Sequence, residues 1–262
     1  MKVTQLNIYP IKSSKAYVVE QAFVHPQGLN FDREFMITES DGTFITARKE
    51  KVLYQLAAFP FSTGVVIRAD NGEQCIVYYR DFVKSADSEV WGTHFSSWIA
   101  HHSVNQWLSG LFGREVQLRW LGEKSQRQVA NFEPNPMSFA DSNPILLVSQ
   151  QSLKQVQEWS PVPVTMEQFR GNIVIDGDLA FEEEQWQRIQ IGDVILRFAQ
   201  CCTRCVLITR NLDTLEFDPK AEPFRTLKQH HTNEKGKPLF GIHLVPENSG
   251  VIRVGDTITL LD

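Results

Sequence analysis

Gln190-Ile191-Gly192-Asp193-Val194-Ile195-Leu196-Arg197-Phe198, with Cys201-Cys202-Thr203-Arg204-Cys205 close behind it, decides how the second half of the chain reads. Apolar, β-prone residues stand on both sides of a Gly-Asp pair, and that pair turns the chain between two strands. Arg253-Val254-Gly255-Asp256-Thr257-Ile258 repeats the arrangement. Asn172-Ile173-Val174-Ile175 reads as a buried strand, and residues 206–209 as another. Helices are short in this half. Ser149 is an N-cap for one over residues 149–159, and Pro223 opens a second over residues 223–231.

The first third also reads as strands. Asp41-Gly42 and Asn71-Gly72 each sit between apolar alternating runs, which is the signature of a tight hairpin. Residues 96–111 carry Trp98, Ile99, Val104, Trp107, Leu108 and Leu111 near one helical face, with Gly113 as the stop. A strand follows over residues 116–121, then a polar stretch over residues 122–142 with Pro134 and Pro136. A connection of that length is often functional. The division expected is a lobe over residues 1–121 and a second domain over residues 122–262.

Composition narrows the function classes. Hydrophobic residues make up 42% and charged residues 22% of 262, as in globular proteins with a sizeable core. A formal net charge of −5 supplies no global field for a nucleic acid backbone. The first ten residues lack the apolar run of a signal peptide, and no apolar stretch of about 18 residues would span a membrane. The expected compartment is the cytoplasm.

Three of the four cysteines, at 201, 202 and 205, fall within five residues, and the fourth is Cys75. Such clustering points to metal or redox work rather than a disulfide framework. Structural zinc needs four ligands, and here no second cysteine pair exists and His230 and His231 are adjacent. A thioredoxin-type pair needs a strand entering a helix, whereas strands are expected on both sides. Arg204 beside Cys205 would favour the thiolate. A metal ligand, a persulfide carrier and a reactive nucleophile all remain open on spacing alone.

Basic residues mark turns and strand ends elsewhere. Lys12, Ser13 and Lys15 follow the first strand, and Arg33, Arg48 and Arg170 stand in Asp32-Arg33, Thr46-Ala47-Arg48 and Phe169-Arg170-Gly171-Asn172. Arginine forks and lysine ammonium groups of this kind suit phosphate.

Taken in order, Ile8-Tyr9-Pro10-Ile11-Lys12-Ser13, Asp32-Arg33 and Phe44-Ile45-Thr46-Ala47-Arg48 resemble the MOSC N-terminal β-barrel domain. Phe139-Ala140-Asp141-Ser142, residues 169–175, Cys202-Thr203-Arg204-Cys205, Pro238-Leu239-Phe240-Gly241 and residues 250–261 resemble the MOSC domain. The resemblance spans nearly the whole chain. Among such proteins it resembles the mitochondrial amidoxime-reducing components and their bacterial counterparts. The fold it implies is α+β and mostly β: an N-terminal MOSC-type β-barrel lobe plus a MOSC β-barrel domain with small peripheral helices.

The chemistry the resemblance implies is reduction of N-hydroxylated or N-oxide compounds by a molybdenum cofactor, a molybdopterin whose dithiolene supplies two sulfurs and one protein cysteine a third. Cys205 matches the metal-ligand position and Arg48 falls on the metal side, so these two are the catalytic candidates. Lys12, Ser13, Arg33, Asp141, Ser142, Arg170, Asn172 and Thr203 match the cofactor-holding segments. At family level, pyridoxal phosphate binding is a further association. No more cysteines follow Cys205 to hold an iron–sulfur cluster, so electrons are expected from a separate ferredoxin- or flavin-type reductase. Sulfur or cofactor carriage without turnover is the alternative. Ile208, Arg210 and His243 depart from the family pattern, His243 standing where an aromatic residue is expected.

Overall fold

The computed structural model describes residues 1–130, 132 and 134–261; Asn131 and Glu133 of the expected connection, and the terminal Asp262, lie outside them. Strands in chain order are β1 (Val3–Ile8), β2 (Tyr17–Val19), β3 (Gln21–His25), β4 (Gly28–Leu29), β5 (Phe35–Thr38), β6 (Leu56–Phe61), β7 (Gly64–Ala69), β8 (Gln74–Tyr78) and β9 (Lys84–Val90). They continue as β10 (Thr93–Ile99), β11 (Gln117–Trp120), β12 (Ile145–Ser149), β13 (Ile173–Ile175), β14 (Arg188–Ile191), β15 (Val194–Thr203), β16 (Leu239–Pro246), β17 (Gly250–Arg253) and β18 (Ile258–Leu261). The helices are α1 (His102–Phe112), α2 (Gln150–Trp159) and α3 (Phe224–His230). The α+β, mostly β class holds. Among the described residues, however, the sheets are open ladders rather than hydrogen-bonded closed barrels.

Two compact units form, and they interleave in sequence. One comprises Met1–Asn7, Val18–Asn30 and Asn143–Asp262; the other comprises Ile8–Tyr17 and Phe31–Ser142. The first returns the N-terminal strand to the C-terminal half, because β1 pairs antiparallel with β13. That pairing belongs to an eight-stranded sheet of order β18-β14-β15-β16-β12-β13-β1-β2, with a smaller β17-β3-β4 sheet beside it in the same unit. Its apolar centre includes Leu146, Val148, Val156, Phe169, Val174, Cys202 and Phe240. Burying such side chains is worth about 1.5–3 kcal/mol each for the larger ones.

The second unit holds the β5-β11-β10-β9 and β6-β7-β8 sheets. Both sequence-predicted turns form, with Gly42 at φ 93 and Gly72 at φ 89, a region open to glycine. Met36, Val90, Phe95, Leu121 and Phe139 pack as one cluster.

Three sequence expectations need correction. Trp98 and Ile99 belong to β10, and α1 begins at His102, because the segment pairs with β9 and β11 before it turns helical. Residues 206–209 form a 3₁₀ turn, not a strand: Ile208 N–H donates to Cys205 O at 3.3 Å and Arg210 N–H to Leu207 O at 3.2 Å. Pro223 caps α3 from just outside the helix rather than from its first turn. The Ser149 cap is as expected, its hydroxyl accepting from Gln151 N–H at 3.2 Å.

Candidate functional site

In the first unit, β15 carries the cysteine cluster to its end. The β15–β16 register slips between Phe198 and Gln200 and again between Cys201 and Thr203. Bulges of this kind re-aim side chains. Cys202 consequently turns into the core at 6% exposure, while Thr203 is exposed and Cys201 half-buried. Cys205 is half-buried and caps the 3₁₀ turn Val206–Thr209. All four cysteines are free thiols.

Arg204 serves a different sulfur from the one expected. Its Nη1 donates to Cys202 Sγ at 3.0 Å and its Nη2 to Phe169 O at 2.7 Å. Burial pushes the Cys202 thiol up, but the Arg204 charge and the His243 ring outweigh it and bring the thiol down to about 6. Burial instead pushes Cys201 up to about 11, helped by the Glu184 carboxylate. Adjacent thiols are thus driven in opposite directions.

Arg170 ends the 3₁₀ turn Met166–Phe169 in the left-handed region at φ 57. Gln168 Nε2 from that turn donates to Ile208 O at 2.7 Å, which ties it to the Cys205 turn. Asn172 is buried, and its amide is spent on backbone: Oδ1 accepts from Leu146 N–H at 3.1 Å and Nδ2 donates to Asn7 O at 3.1 Å. Its structural task is bracing the strand behind Arg170.

The second unit gathers the basic candidates. Lys12 is buried; its Nζ donates to Phe139 O at 2.8 Å and to the Asp141 carboxylate. Burial pushes the ammonium down, and Asp141 opposes this. Asp141 also accepts from Trp91 Nε1 at 2.9 Å. Desolvation would raise that carboxyl, but Lys12, Trp91 and Arg33 together hold it well below the usual range. Arg33 pairs with Asp32, whose other oxygen accepts Tyr9 N–H at 2.9 Å. The Arg48 guanidinium lies 4.3 Å from the centre of the half-exposed Trp91 ring. Ser13 and Ser142 are both half-buried.

Arg127 is the residue that sequence reasoning missed here. It is buried, and its Nη1 donates to Ser138 O and, at 2.9 Å, to Ala140 O. Its Nε has no hydrogen-bond partner. Burial brings it down to about 10, with only partial relief from Asp141. The available signal was the length of the connection it lies in. Lys12 and Arg33 have carboxylate partners, so Arg127 leaves this cluster with an excess positive charge. Ser13, Arg33 and Trp91 all have positive φ, at 71, 52 and 52. Strained backbone of this kind concentrates at functional sites.

Among the described residues, no three His, Cys, Asp or Glu side chains converge as a metal site. No helix among the described residues is long and apolar enough to cross a membrane.

Residues 134–259 match the MOSC domain, and residues 1–115 match the MOSC N-terminal beta barrel domain. The mitochondrial amidoxime reducing component 2 of Rattus norvegicus is 30% identical over 98% of this chain and 82% of its own length. That of Macaca fascicularis is 29% identical over the same shares. A molybdenum cofactor sulfurase from Drosophila ananassae is 28% identical over 98% of this chain, which spans 34% of that longer protein.

Proposed function

The chain belongs to the MOSC-domain proteins that carry a MOSC N-terminal β-barrel domain, and on that premise we propose that it is a molybdenum-cofactor-dependent reductase of N-hydroxylated or N-oxide compounds. The observation that carries this reading is similarity to amidoxime reducing components over 98% of the chain and 82% of the relative, with Cys205 just beyond a doubly bulged strand.

The chain's own groups fit such a cofactor. Thiolate sulfur is a soft donor suited to molybdenum, and Cys205 is half-buried on a turn fixed at both ends by hydrogen bonds. The orphaned buried Nε of Arg127 and the excess positive charge around it suit a phosphate-bearing pterin. Cys205 would supply the protein's metal ligand. Within the first unit, Arg170 and Thr203 are the candidates to hold the pterin beside Cys205. Within the second, taken by itself, Lys12, Ser13, Arg33, Asp141 and Ser142 are the candidates for recognising its phosphate. Asn172 supports Arg170 through the backbone rather than by its own amide.

When bound, the cofactor supplies a two-electron redox centre. The net change consumes two electrons and two protons: an N–OH group becomes N–H with release of water, and an N-oxide becomes the free amine with release of water. Both electrons come from a separate donor protein of the ferredoxin or flavin type. Arg48, held against the Trp91 ring, presents a cation that donates hydrogen bonds to the N–O oxygen and orients it. The pyridoxal phosphate association is not carried forward, because the buried Lys12 amine is already held by Asp141 and Phe139 O.

Protein from a host that makes the cofactor, given a chemical reductant and an N-hydroxylated amidine, should release the amidine, and Cys205→Ala should not. The sulfurase relative favours one competing reading, a sulfur carrier. A Cys205 persulfide with no amidine formed would support that instead.

A further inference from the structure

We propose that Cys202 and Arg204 are positioning residues: the Cys202 sulfur is the buried counter-ion of the Arg204 guanidinium, and the pair fixes how Cys205 is presented. The proposal concerns the chain's own groups. It stands whether Cys205 takes a metal or a sulfur atom, so it fails independently of the proposed function.

Arg204 needs a counter-charge. Its side chain reaches inward to the Phe169 carbonyl, and its charge lies 5.5 Å from the centre of the Phe169 ring. That ring stacks on Phe240 with centroids 3.7 Å apart, and both rings are fully buried. A guanidinium in such surroundings loses water on that side, and a desolvated cation requires an anionic partner. Among the described residues, none of its ion pairs is with a carboxylate. The group it does meet is Cys202 Sγ.

The sulfur is arranged to be the anion. Arg204 Nη1 stands 3.0 Å from it, a spacing normal for N–H···O and therefore close for the larger sulfur. Charge-assisted hydrogen bonds shorten in this way. The His243 ring, from the neighbouring strand β16, also favours the charged form of the sulfur. A charged N–H donor this close to the sulfur suits a thiolate. The acceptor within reach of an S–H proton, Thr203 O, is 3.8 Å away.

The mechanical consequence falls on Cys205. Arg204 N–H donates to Pro238 O at 2.8 Å, so the residue just before Cys205 is held by Pro238 immediately ahead of β16, by the Phe169 carbonyl and by Cys202. On the other side of Cys205, Ile208 O accepts from Gln168 Nε2 at 2.7 Å. Cys205 is therefore bracketed by two ties to the turn that carries Arg170. Removing the Cys202 charge loosens the first tie and leaves the second intact.

The test uses the full chain. Cys205 is first carboxamidomethylated, and the remaining thiols are titrated by thiolate ultraviolet absorbance. About one thiolate per chain should form below pH 8; none forming there would overturn the proposal. Separately, alkylation of Cys205 by iodoacetamide is timed by mass spectrometry in wild type, Cys202→Ala, Cys202→Ser and Cys202→Asp. The neutral variants should shift the rate by about tenfold, since thiol reactivity follows its surroundings, and Cys202→Asp should return it towards wild type. A wild-type rate in Cys202→Ala, or no recovery by Cys202→Asp in folded protein, would contradict the counter-ion role.

Discussion

The buried Lys12 ammonium is ion-paired with the Asp141 carboxylate, although 129 residues separate them and the Asp141 side chain is 61% exposed. One partner is hidden and the other faces solvent. The carboxylate thus neutralises a cation that burial would otherwise disfavour.

Asp141→Asn should therefore leave Lys12 buried with only a carbonyl partner. Losing one member of a buried pair costs about 3–5 kcal/mol, and the solvent-facing carboxylate reduces this to about 2 kcal/mol here. Because the folded carboxyl titrates below its ordinary value, the stabilisation is present above about pH 4 and is lost as pH falls towards the folded pKa. Urea denaturation of both proteins at pH 7 and pH 3 should show the gap narrowing at the lower pH.

Glu183 gives the opposite sign. It is fully buried, hydrogen-bonded by Ser152 Oγ at 2.8 Å, and pushed up to about 7 by burial, with Glu184 and Glu182 adding to the effect. Its folded pKa lies above its unfolded one, so its contribution is complete below about pH 4.5 and falls away as pH rises through 7. Stability should drop by roughly 2–3 kcal/mol across that window. Glu183→Gln should flatten the drop in a series of denaturant titrations.

Gly241 has φ 77, and a Cβ there would stand 2.6 Å from Leu147 O. Gly241→Ala combines backbone strain with overlap against β12, at a cost of about 2–4 kcal/mol. The thermal midpoint should fall by roughly 5–15 °C. An unchanged midpoint would mean that β16 can move away from β12.

Arg127→Gln should weaken retention of the cofactor while leaving Cys205 in place. A hydrogen bond from a charged donor is worth about 1.5–3 kcal/mol, so occupancy after extended dialysis should correspond to roughly tenfold weaker binding or more. Equal pterin content in the two proteins would remove Arg127 from the anion site.

Much of the fold was legible because local chemistry governed it. Asp41-Gly42 and Asn71-Gly72 form turns whose glycines take φ values that glycine alone adopts readily, and Ser149 caps α2 through its own hydroxyl. Trp98 and Ile99 were misread because large apolar residues continue without a break from β10 into α1. Residues 206–209 have strand-like composition, yet their backbone folds back on Cys205. The return of β1 to β13 is a long-range pairing, and no local pattern encodes it. At the candidate site, residue types and order pointed to Cys205, Lys12 and Arg33. Partnerships were hidden: spacing put Arg204 beside Cys205, whereas the bulge in β15 turns its guanidinium to Cys202. His243, which sequence reading singled out only as a departure, helps bring that same thiol down.

Molybdenum per chain is the most direct measurement of the central claim. Protein from a host that makes the cofactor should carry about one molybdenum and one pterin per chain, as one thiolate ligand implies. Cys205→Ala should lose most of the metal, while Cys75→Ala keeps it. Absence of both metal and pterin from the wild type, or equal metal in Cys205→Ala, would contradict the account.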